Sequence, residues 1–227
     1  MKALVDYELD AGFAVIRVDD GKVNAMSNRL MGEIDEALDR AESDGAVVVL
    51  TGRDGVFSAG FDLSVFEQGH EPTMAMLRAG AALNRRILSF PTPVVIACNG
   101  HGIAMGSFLL MCADYRIGVD GPYKIGMNEV AIGMVLPYFA IEIARRRLAP
   151  SHFDRATVLA ELYSPADAIA PGFLDRVVAA DALEPAACAV AGELVKLDMK
   201  AHAASKLRAR RVTLTAIDHM VDAQFNA

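Results

Sequence analysis

Two short runs of apolar, mostly β-branched residues constrain the fold more than any other feature of this sequence. Val47–Leu50 is followed by Thr51-Gly52, and Val94–Cys98 is followed by Asn99-Gly100. A continuous apolar run of this length, ended by turn residues, is typical of a strand that is buried on both faces. Helical patterns lie between and after these runs, and strands that alternate with helices pair in parallel. The sequence therefore predicts an α/β fold.

Shorter patterns predict the remaining elements. Apolar residues recur at helical spacing from Leu30 to Ala41, and Ser27 is placed to cap that helix. A three-residue link, Asp10-Ala11-Gly12, joins the first two strands. From Leu183 onward the pattern is helical and increasingly amphipathic, which predicts a cap or an assembly element. The other predicted elements are strands at 4–9, 13–18, 115–119 and 177–178, helices at about 73–88, 106–112, 139–147 and 153–162, and a helix start at 164–167.

Composition and charge exclude several kinds of partner. The net charge is −7 at pH 7, which disfavours nucleic-acid binding. No apolar run approaches the roughly 20 residues that a membrane span needs, and the first residues lack the apolar stretch of a secretory signal. The three cysteines are isolated and form neither a disulfide framework nor a metal site. We expect a cytoplasmic protein without a metal. Its hydrophobic content of 53% predicts large buried surfaces, between subunits among them.

Two glycine-containing loops are the first candidates for a functional site. The loop at 57–63 follows the first buried strand, and the loop at 99–107 follows the second. Each precedes a predicted helix, whose first N–H groups have no partner within the helix and carry partial positive charge. Together such loops can present two N–H donors to a developing oxyanion. Glycine between a strand and a helix also serves as a tight connection, so the loops alone leave both interpretations open.

Glu129 is the second candidate, because it is the one acidic residue in an apolar segment between Gly126 and Gly133. An unpaired carboxylate is costly to bury, so such a residue is paired, exposed or functional. An apolar pocket raises the pKa of a carboxyl group toward the range that suits a general base. A surface glutamate in a loop is the alternative that this segment leaves open.

Taken in order and spacing, these segments resemble the crotonase (enoyl-CoA hydratase/isomerase) superfamily. The landmarks that carry the resemblance span roughly residues 13 to 180 and are specific jointly: Val23-Asn24-Ala25-Met26, Phe57–Leu63, Pro91-Thr92-Pro93-Val94, Asn99-Gly100, Cys112–Ile117 and Ile125–Glu129. The resemblance implies a spiral of ββα and βαβ turns in residues 1–180. It also implies a helical cap or trimerisation region in residues 181–227 of the same domain, with assembly into homotrimers or hexamers.

The resemblance also implies a site. The backbone N–H groups of Ala59 and Met105 would be the oxyanion donors, and Glu129 would be the catalytic base. Asn128 would contact the acyl chain, and Phe108 would stand where hydratases of the family have a second acid. The substrate would be an acyl-CoA thioester, so that coenzyme A enters with the substrate and no separate cofactor is needed. The segment implied to line the CoA site comprises Ala59, Gly60, Phe61, Asp62 and Leu63.

The loss of the second acid favours one reaction over the others. Hydration activates a water and protonates the α-carbon, which suits two carboxyl groups, whereas moving a double bond from the 3- to the 2-position needs one base. The segment from Asn128 to Phe139 is also similar to that of the mitochondrial-type 3,2-enoyl-CoA isomerases. We therefore expect an enoyl-CoA isomerase. The alternatives are a hydratase, a hydrolase or lyase on another acyl-CoA, and an acyl-CoA-binding protein without turnover.

Several other polar residues have two interpretations. His101 is a base or a pocket residue, and Ser107 is a nucleophile, as in the related Clp-type peptidases, or a structural hydroxyl. Asp62 caps a helix or contacts CoA, and Asp114 is expected to tie Tyr115-Arg116 into the core. The basic residues of the C-terminal helix form a solvated face or meet CoA phosphates: Lys206, Arg208, Arg210 and Arg211.

Overall fold

The computed structural model describes residues 2–225, with side chains through residue 219. Its largest sheet has the strand order β1-β2-β4-β7-β9-β11, in which β1 and β2 are antiparallel and the other pairs are parallel. A smaller parallel sheet has the order β10-β8-β5, and β3 pairs with β6. The strands are β1 (Val5–Asp10), β2 (Phe13–Val18), β3 (Ala25–Met26), β4 (Val47–Thr51), β5 (Gly55–Ser58), β6 (Gly60–Phe61), β7 (Val94–Cys98), β8 (Gly100–Ile103), β9 (Tyr115–Val119), β10 (Ile125–Gly126) and β11 (Arg176–Val178).

The helices cover the sheets and form the C-terminal part. They are α1 (Asn28–Ser43), α2 (Leu63–Phe66), α3 (His70–Ser89), α4 (Met105–Cys112), α5 (Tyr138–Arg147), α6 (Pro150–Thr157), α7 (Leu183–Leu194) and α8 (Met199–Phe225). Short 3₁₀ helices lie at Val130–Ile132 and Ala180–Ala182. The hydroxyl of Ser27 accepts a hydrogen bond from the Leu30 N–H at 3.2 Å, which confirms the predicted cap of α1.

The chain winds as a spiral in which each turn adds one strand to the six-stranded sheet and one strand to the three-stranded sheet. It passes from β4 to β5, from β7 to β8 and from β9 to β10, so that the large sheet always receives the first strand of the pair. Helices α3 and α4 close the turns between successive pairs. The spiral α/β fold expected from the sequence is therefore confirmed.

Burial explains why the apolar runs were reliable signals. Every residue of β4 and β7 is buried, because helices cover both faces of the large sheet. One core, which includes Leu50 and Ile96, extends to α8 through Leu214 and Ile217. The other core packs α7 against the opposite face of the sheet. Among residues 2–225, no helix combines the length and the apolarity that a membrane crossing requires.

An ionic cluster fastens α8 to the body of the protein and corrects the expectation for its basic residues. Lys206 and Arg210 are buried, and they donate to the two carboxylate oxygens of Asp114 at 2.6 and 2.7 Å. Arg210 also donates to the backbone carbonyls of Leu88 and Cys112. The prediction that the basic residues form a solvated face is therefore wrong for Lys206 and Arg210, which are one helical turn apart. Arg208 and Arg211, in contrast, are exposed.

Three local predictions need adjustment. The link between β1 and β2 has two residues, Ala11 and Gly12, both with positive φ, as the tightest hairpin turns require. The helix start expected at 164–167 is wrong, because Ser164 and Asp167 bond to each other in a turn that does not continue as a helix. The helix expected from 153 to 162 is α6, which begins earlier and ends at Thr157.

Candidate functional site

The candidate site lies where the three strands of the smaller sheet end. Because β5, β8 and β10 are parallel, the segments that follow them meet at one edge. Gly60-Phe61 follows β5, Ala104-Met105 follows the central strand β8, and Asn128-Glu129 follows β10. Two of the sequence candidates, Met105 and Glu129, therefore belong to adjacent turns of the spiral, with the 57–63 loop on the other side of Met105.

Asn24 and Ser58 fix the first loop. The backbone of Asn24 has φ +51, a conformation that asparagine tolerates better than most residues. Its side-chain amide donates to the carbonyls of Val18 (2.9 Å) and Phe57 (3.1 Å), which lie at or next to the ends of β2 and β5. The hydroxyl of Ser58 donates to the Asn24 carbonyl and accepts from the Gly60 N–H. The Val23–Met26 landmark thus holds the loop that follows β5.

The oxyanion role predicted for Ala59 is wrong. The Ala59 N–H donates to the Val23 carbonyl at 3.0 Å, so it is already used within the protein. The N–H groups of Phe61 and Asp62 point in opposite directions, because consecutive N–H groups of an extended strand point to opposite edges of that strand. The Asp62 N–H is directed to the Met26 carbonyl of β3, and the Phe61 N–H therefore faces away from β3. Phe61 is the residue of this loop whose N–H suits a ligand.

The peptide between Ala104 and Met105 is fixed by several hydrogen bonds. Ala104 has φ +50, which is unfavourable for a residue with a side chain. Its N–H donates to the Gly126 carbonyl. Its own carbonyl accepts from the Phe108 N–H at 3.1 Å and from the Ser107 hydroxyl at 2.7 Å. In a trans peptide the C=O and N–H point in opposite directions. Since the carbonyl points into α4, the N–H of Met105 points out of the N-terminus of the helix.

Glycine is required where the two loops meet. A Cβ atom on Gly60, which has φ +104, would lie 2.7 Å from the Cβ of Ala104 and 3.7 Å from the Met105 nitrogen. A Cβ atom on Gly106 would lie 2.7 Å from the Ser58 carbonyl oxygen. Contacts this short leave no space for a side chain. The glycines therefore allow two backbone segments, each with an outward-facing N–H, to lie in contact.

Glu129 is a buried carboxyl group with unused hydrogen-bonding capacity. Among residues 2–219 it is the one acidic residue classed as buried, with 6% of its surface exposed. Its Oε2 atom has no hydrogen-bond partner in this described part of the chain. Burial raises the pKa of Glu129 to about 7, against the opposing effect of the backbone N–H groups of Glu129 and Asn128. A carboxyl group with this pKa exchanges protons readily at neutral pH.

Backbone hydrogen bonds hold the turn that carries Glu129. Its carbonyl accepts from the N–H groups of Ile132 and Met134, which close the turn after it. On the neighbouring helix α4, Phe108 is fully buried and its ring meets that of Phe139 edge to face, with centroids 5.9 Å apart. Phe108 is thus part of a buried aromatic pair, and its correspondence to the second acid of hydratases stays a prediction.

The remaining residues expected to contact substrate occupy diverse environments. Asp62 caps α2 by accepting from the Ser64 N–H, so the structure supports its capping role. The ring of Phe61 covers Gly80 of α3, and Leu63 is exposed. Asn128 is half-buried beside Glu129. Contact of Asp62, Leu63 or Asn128 with a substrate stays a prediction.

His101 and Ser107 have structural partners. The Nδ1 atom of His101 accepts from the Lys124 N–H, and its ring packs on the edge of Tyr123. This contact joins β8 to the segment that leads into β10. Ser107 is fully buried and donates to the Ala104 carbonyl, as a helix hydroxyl commonly does one turn back. Neither arrangement is that of a nucleophile paired with a base.

Comparisons with known proteins agree with this fold. Residues 8–224 match the model of the family described as enoyl-CoA hydratase/isomerase. A solved protein of Mycobacterium tuberculosis, called an enoyl-CoA isomerase in one structure and a probable enoyl-CoA hydratase in another, is 43% identical; in the first structure 98% of this chain and 97% of that chain are covered and the TM-score is 0.94. A solved enoyl-CoA hydratase of Mycobacterium marinum is also 43% identical, with 96% of each chain covered and a TM-score of 0.93.

A curated relative is a mammalian isomerase. The mitochondrial enoyl-CoA delta isomerase 1 of Mus musculus is 32% identical over 185 residues, which are 79% of this chain. The aligned part spans 64% of the mouse protein's own length. Since the family model matches nearly the whole chain, this protein belongs to the enoyl-CoA hydratase/isomerase family.

Proposed function

We propose that this protein is an enoyl-CoA isomerase, which moves the double bond of a 3-enoyl-CoA thioester to the 2-position. The observation that carries the proposal is the single buried carboxyl group of Glu129, whose Oε2 lacks a partner within the described residues. Support comes from the order β10-β8-β5, because the segments that carry Glu129, Met105 and Phe61 follow these three parallel strands. The substrate brings coenzyme A with it, and the proposed chemistry uses no separate cofactor.

The reaction proceeds in two proton transfers. The carboxylate of Glu129 removes a proton from C2, and the electron pair of the broken C–H bond forms an enolate whose oxygen accepts from the N–H groups of Phe61 and Met105. Protonated Glu129 then delivers the same proton to C4. A double bond forms between C2 and C3 as the enolate returns to a carbonyl. Glu129 ends as a carboxylate, so the cycle closes with no net change in the protein.

The apolar surroundings favour proton transfer over water addition. The resemblance puts Phe108 where hydratases have the second acid, and its buried ring packs against Phe139; we propose that no second carboxyl group directs a water molecule there. Excluding water also strengthens the electrostatic interaction between the enolate oxygen and its donors. Hydration is the second candidate reaction, because a hydratase of the family is as similar to this chain as an isomerase.

Assembly into a homotrimer or hexamer is part of the proposal. Several large apolar side chains are exposed in the segment that follows Glu129 and in the two residues that follow α6, and they would be covered in an assembly. Contiguous exposed apolar surface commonly marks a contact with another protein. These side chains are Val130, Ile132, Val135, Tyr138, Val158 and Leu159.

A direct comparison of the two reactions tests the function. Purified protein is given a 3-enoyl-CoA in one assay and a 2-enoyl-CoA in another, and the absorbance of the conjugated thioester is followed. We expect kcat/KM for isomerisation to exceed that for hydration by at least about 10²-fold, which is the lower range of what one acid–base group contributes. Equal or faster hydration would make the protein a hydratase. Tight binding of both thioesters without turnover would identify a binding protein.

The pH dependence of the reaction should report the buried carboxyl group. Because Glu129 acts first as a base, kcat/KM is expected to be constant at high pH and to fall tenfold per pH unit below about 7, where burial has placed its pKa. An exposed glutamate would give the same fall only below its ordinary pKa of 4.5. The profile is measured with a 3-enoyl-CoA from pH 5 to 9. Measuring thioester binding at pH 6 separates loss of the base from loss of substrate affinity.

A further inference from the structure

Asn84 of α3 is a buried polar residue outside the reacting groups. Its side chain has no exposed surface, and a buried amide requires hydrogen-bond partners. Its Nδ2 atom donates to the Gly80 carbonyl at 2.9 Å and to the sulfur of Met105 at 3.1 Å. Its Oδ1 atom accepts from the Cys112 thiol at 3.2 Å. One side chain of α3 therefore contacts two residues of α4.

The two contacts of Asn84 lie at opposite ends of α4. Met105 is the first residue of the helix and Cys112 is the last, seven positions apart and hence on one face. Burial raises the pKa of the Cys112 thiol to about 12, so it keeps its proton at neutral pH and remains a donor. The amide thus fixes both the rotation of α4 and its position along its own axis.

Few other directional contacts fix α4. All eight of its residues are buried, and most of its side chains are apolar. Apolar contacts are not directional, whereas hydrogen bonds weaken quickly when their geometry changes. Arg210 and Arg116 hold the C-terminal half through the carbonyls of Cys112 and Leu110, but the contact of Asn84 with Met105 reaches the end that faces the site.

We propose that Asn84 is a positioning residue, which sets the place of the Met105 N–H by holding the Met105 side chain and the axis of α4. The inference rests on the proposed function, since it requires the Met105 N–H to bind the thioester oxygen. A displacement of about 1 Å at a reacting group is enough to lower a rate by about 10²-fold. Asn84 itself touches neither the substrate nor the reacting atoms.

Kinetics of two variants and a control test the role of Asn84. Asn84→Leu removes the amide and retains a side chain of similar size, and Met105→Leu removes the sulfur but leaves the backbone N–H. Each is expected to lower kcat by about 10- to 100-fold with KM changed less than about threefold. The double variant should be no slower than the slower single variant, because both changes break one contact. Thr157→Val removes a buried hydrogen bond in α6, and its kcat should stay that of the wild type.

A spectroscopic measurement gives a readout that does not depend on turnover. The carbonyl stretch of a saturated acyl-CoA, butyryl-CoA, should move to lower frequency on binding to the wild type and less so on binding to Asn84→Leu. The inference is overturned if Asn84→Leu keeps the wild-type carbonyl shift, or if it slows the reaction no more than Thr157→Val does. A wild-type protein that does not isomerise 3-enoyl-CoA refutes the proposed function instead, and the carbonyl shift then still decides the role of Asn84.

Discussion

Replacing Glu129 with glutamine is expected to lower kcat for 3-enoyl-CoA isomerisation by about 10²- to 10⁴-fold, the range that a general base contributes. Glutamine has nearly the same shape but cannot take the proton from C2. The Oε2 atom has no hydrogen-bond partner within the described residues, so the substitution breaks no bond of that atom. Binding of the thioester should change little, since the backbone N–H donors remain.

Glu142→Gln provides the matched control. Glu142 lies in α5, on the segment that follows Glu129, and its carboxylate pairs with Arg145 at 3.4 Å. It has no assigned role in proton transfer, so its variant should retain the wild-type kcat. Rates are measured on both variants with the same 3-enoyl-CoA. Full activity of Glu129→Gln would show that another group is the base.

The same substitution should stabilise the folded protein at alkaline pH. Burial raises the pKa of Glu129 to about 7 from an ordinary value of 4.5, so ionising it in the folded state is unfavourable. The free-energy cost of ionising Glu129 in the folded protein is absent below the pKa of 4.5 that it has in the unfolded chain. It grows between pH 4.5 and 7 and reaches its maximum of about 3 kcal/mol above pH 7. At pH 8 we expect a Tm for Glu129→Gln that is several degrees higher, up to about 10 °C. At pH 4.5 the difference should be small. Loss of activity with a gain in stability distinguishes a functional carboxylate from a structural one.

The sequence alone predicted those parts of the fold that leave a clear pattern in a few consecutive residues. The runs at 47–50 and 94–98 are apolar throughout because helices cover both faces of the sheet, and they lie in strands as expected. Glu129 was prominent because a charge in an apolar segment requires an explanation, and the structure places it in a buried environment. Its role as the base remains a proposal.

Other features depended on contacts that no local pattern records. The strands β3 and β6 have two residues each, too few to show a periodicity, yet their pairing decides that the Phe61 N–H rather than the Ala59 N–H is available. The basic residues of α8 resembled a solvated face, because their partner Asp114 lies far away in the sequence. Two of the partners of Asn84 also lie outside its own helix, 21 and 28 residues along the chain in α4.

Replacing Gly60 with alanine is expected to lower kcat by about 10²- to 10³-fold, which is the effect of removing one oxyanion donor. The new methyl group would lie 2.7 Å from the Cβ of Ala104, so the loop that carries Phe61 and the turn that carries Met105 must move apart. The φ of +104 adds backbone strain, which costs on the order of 1–3 kcal/mol. The rate with a 3-enoyl-CoA and the thermal unfolding curve are both measured. Wild-type kcat in a folded Gly60→Ala protein would contradict the proposed convergence of the two N–H groups.

A control and a compensating change separate the clash from a general glycine effect. Gly32 lies in α1, where a methyl group would meet no atom within 4 Å outside the backbone of its own helix, so Gly32→Ala should leave kcat unchanged and stabilise the helix by about 0.5–1 kcal/mol. Ala104→Gly removes the methyl group that Gly60→Ala would meet, and the φ of +50 at this position suits glycine. The double variant Gly60→Ala/Ala104→Gly should therefore recover at least about tenfold of the lost kcat, the remainder reflecting strain at residue 60. No recovery would mean that the contact between these two loops does not set the distance between the Phe61 and Met105 donors.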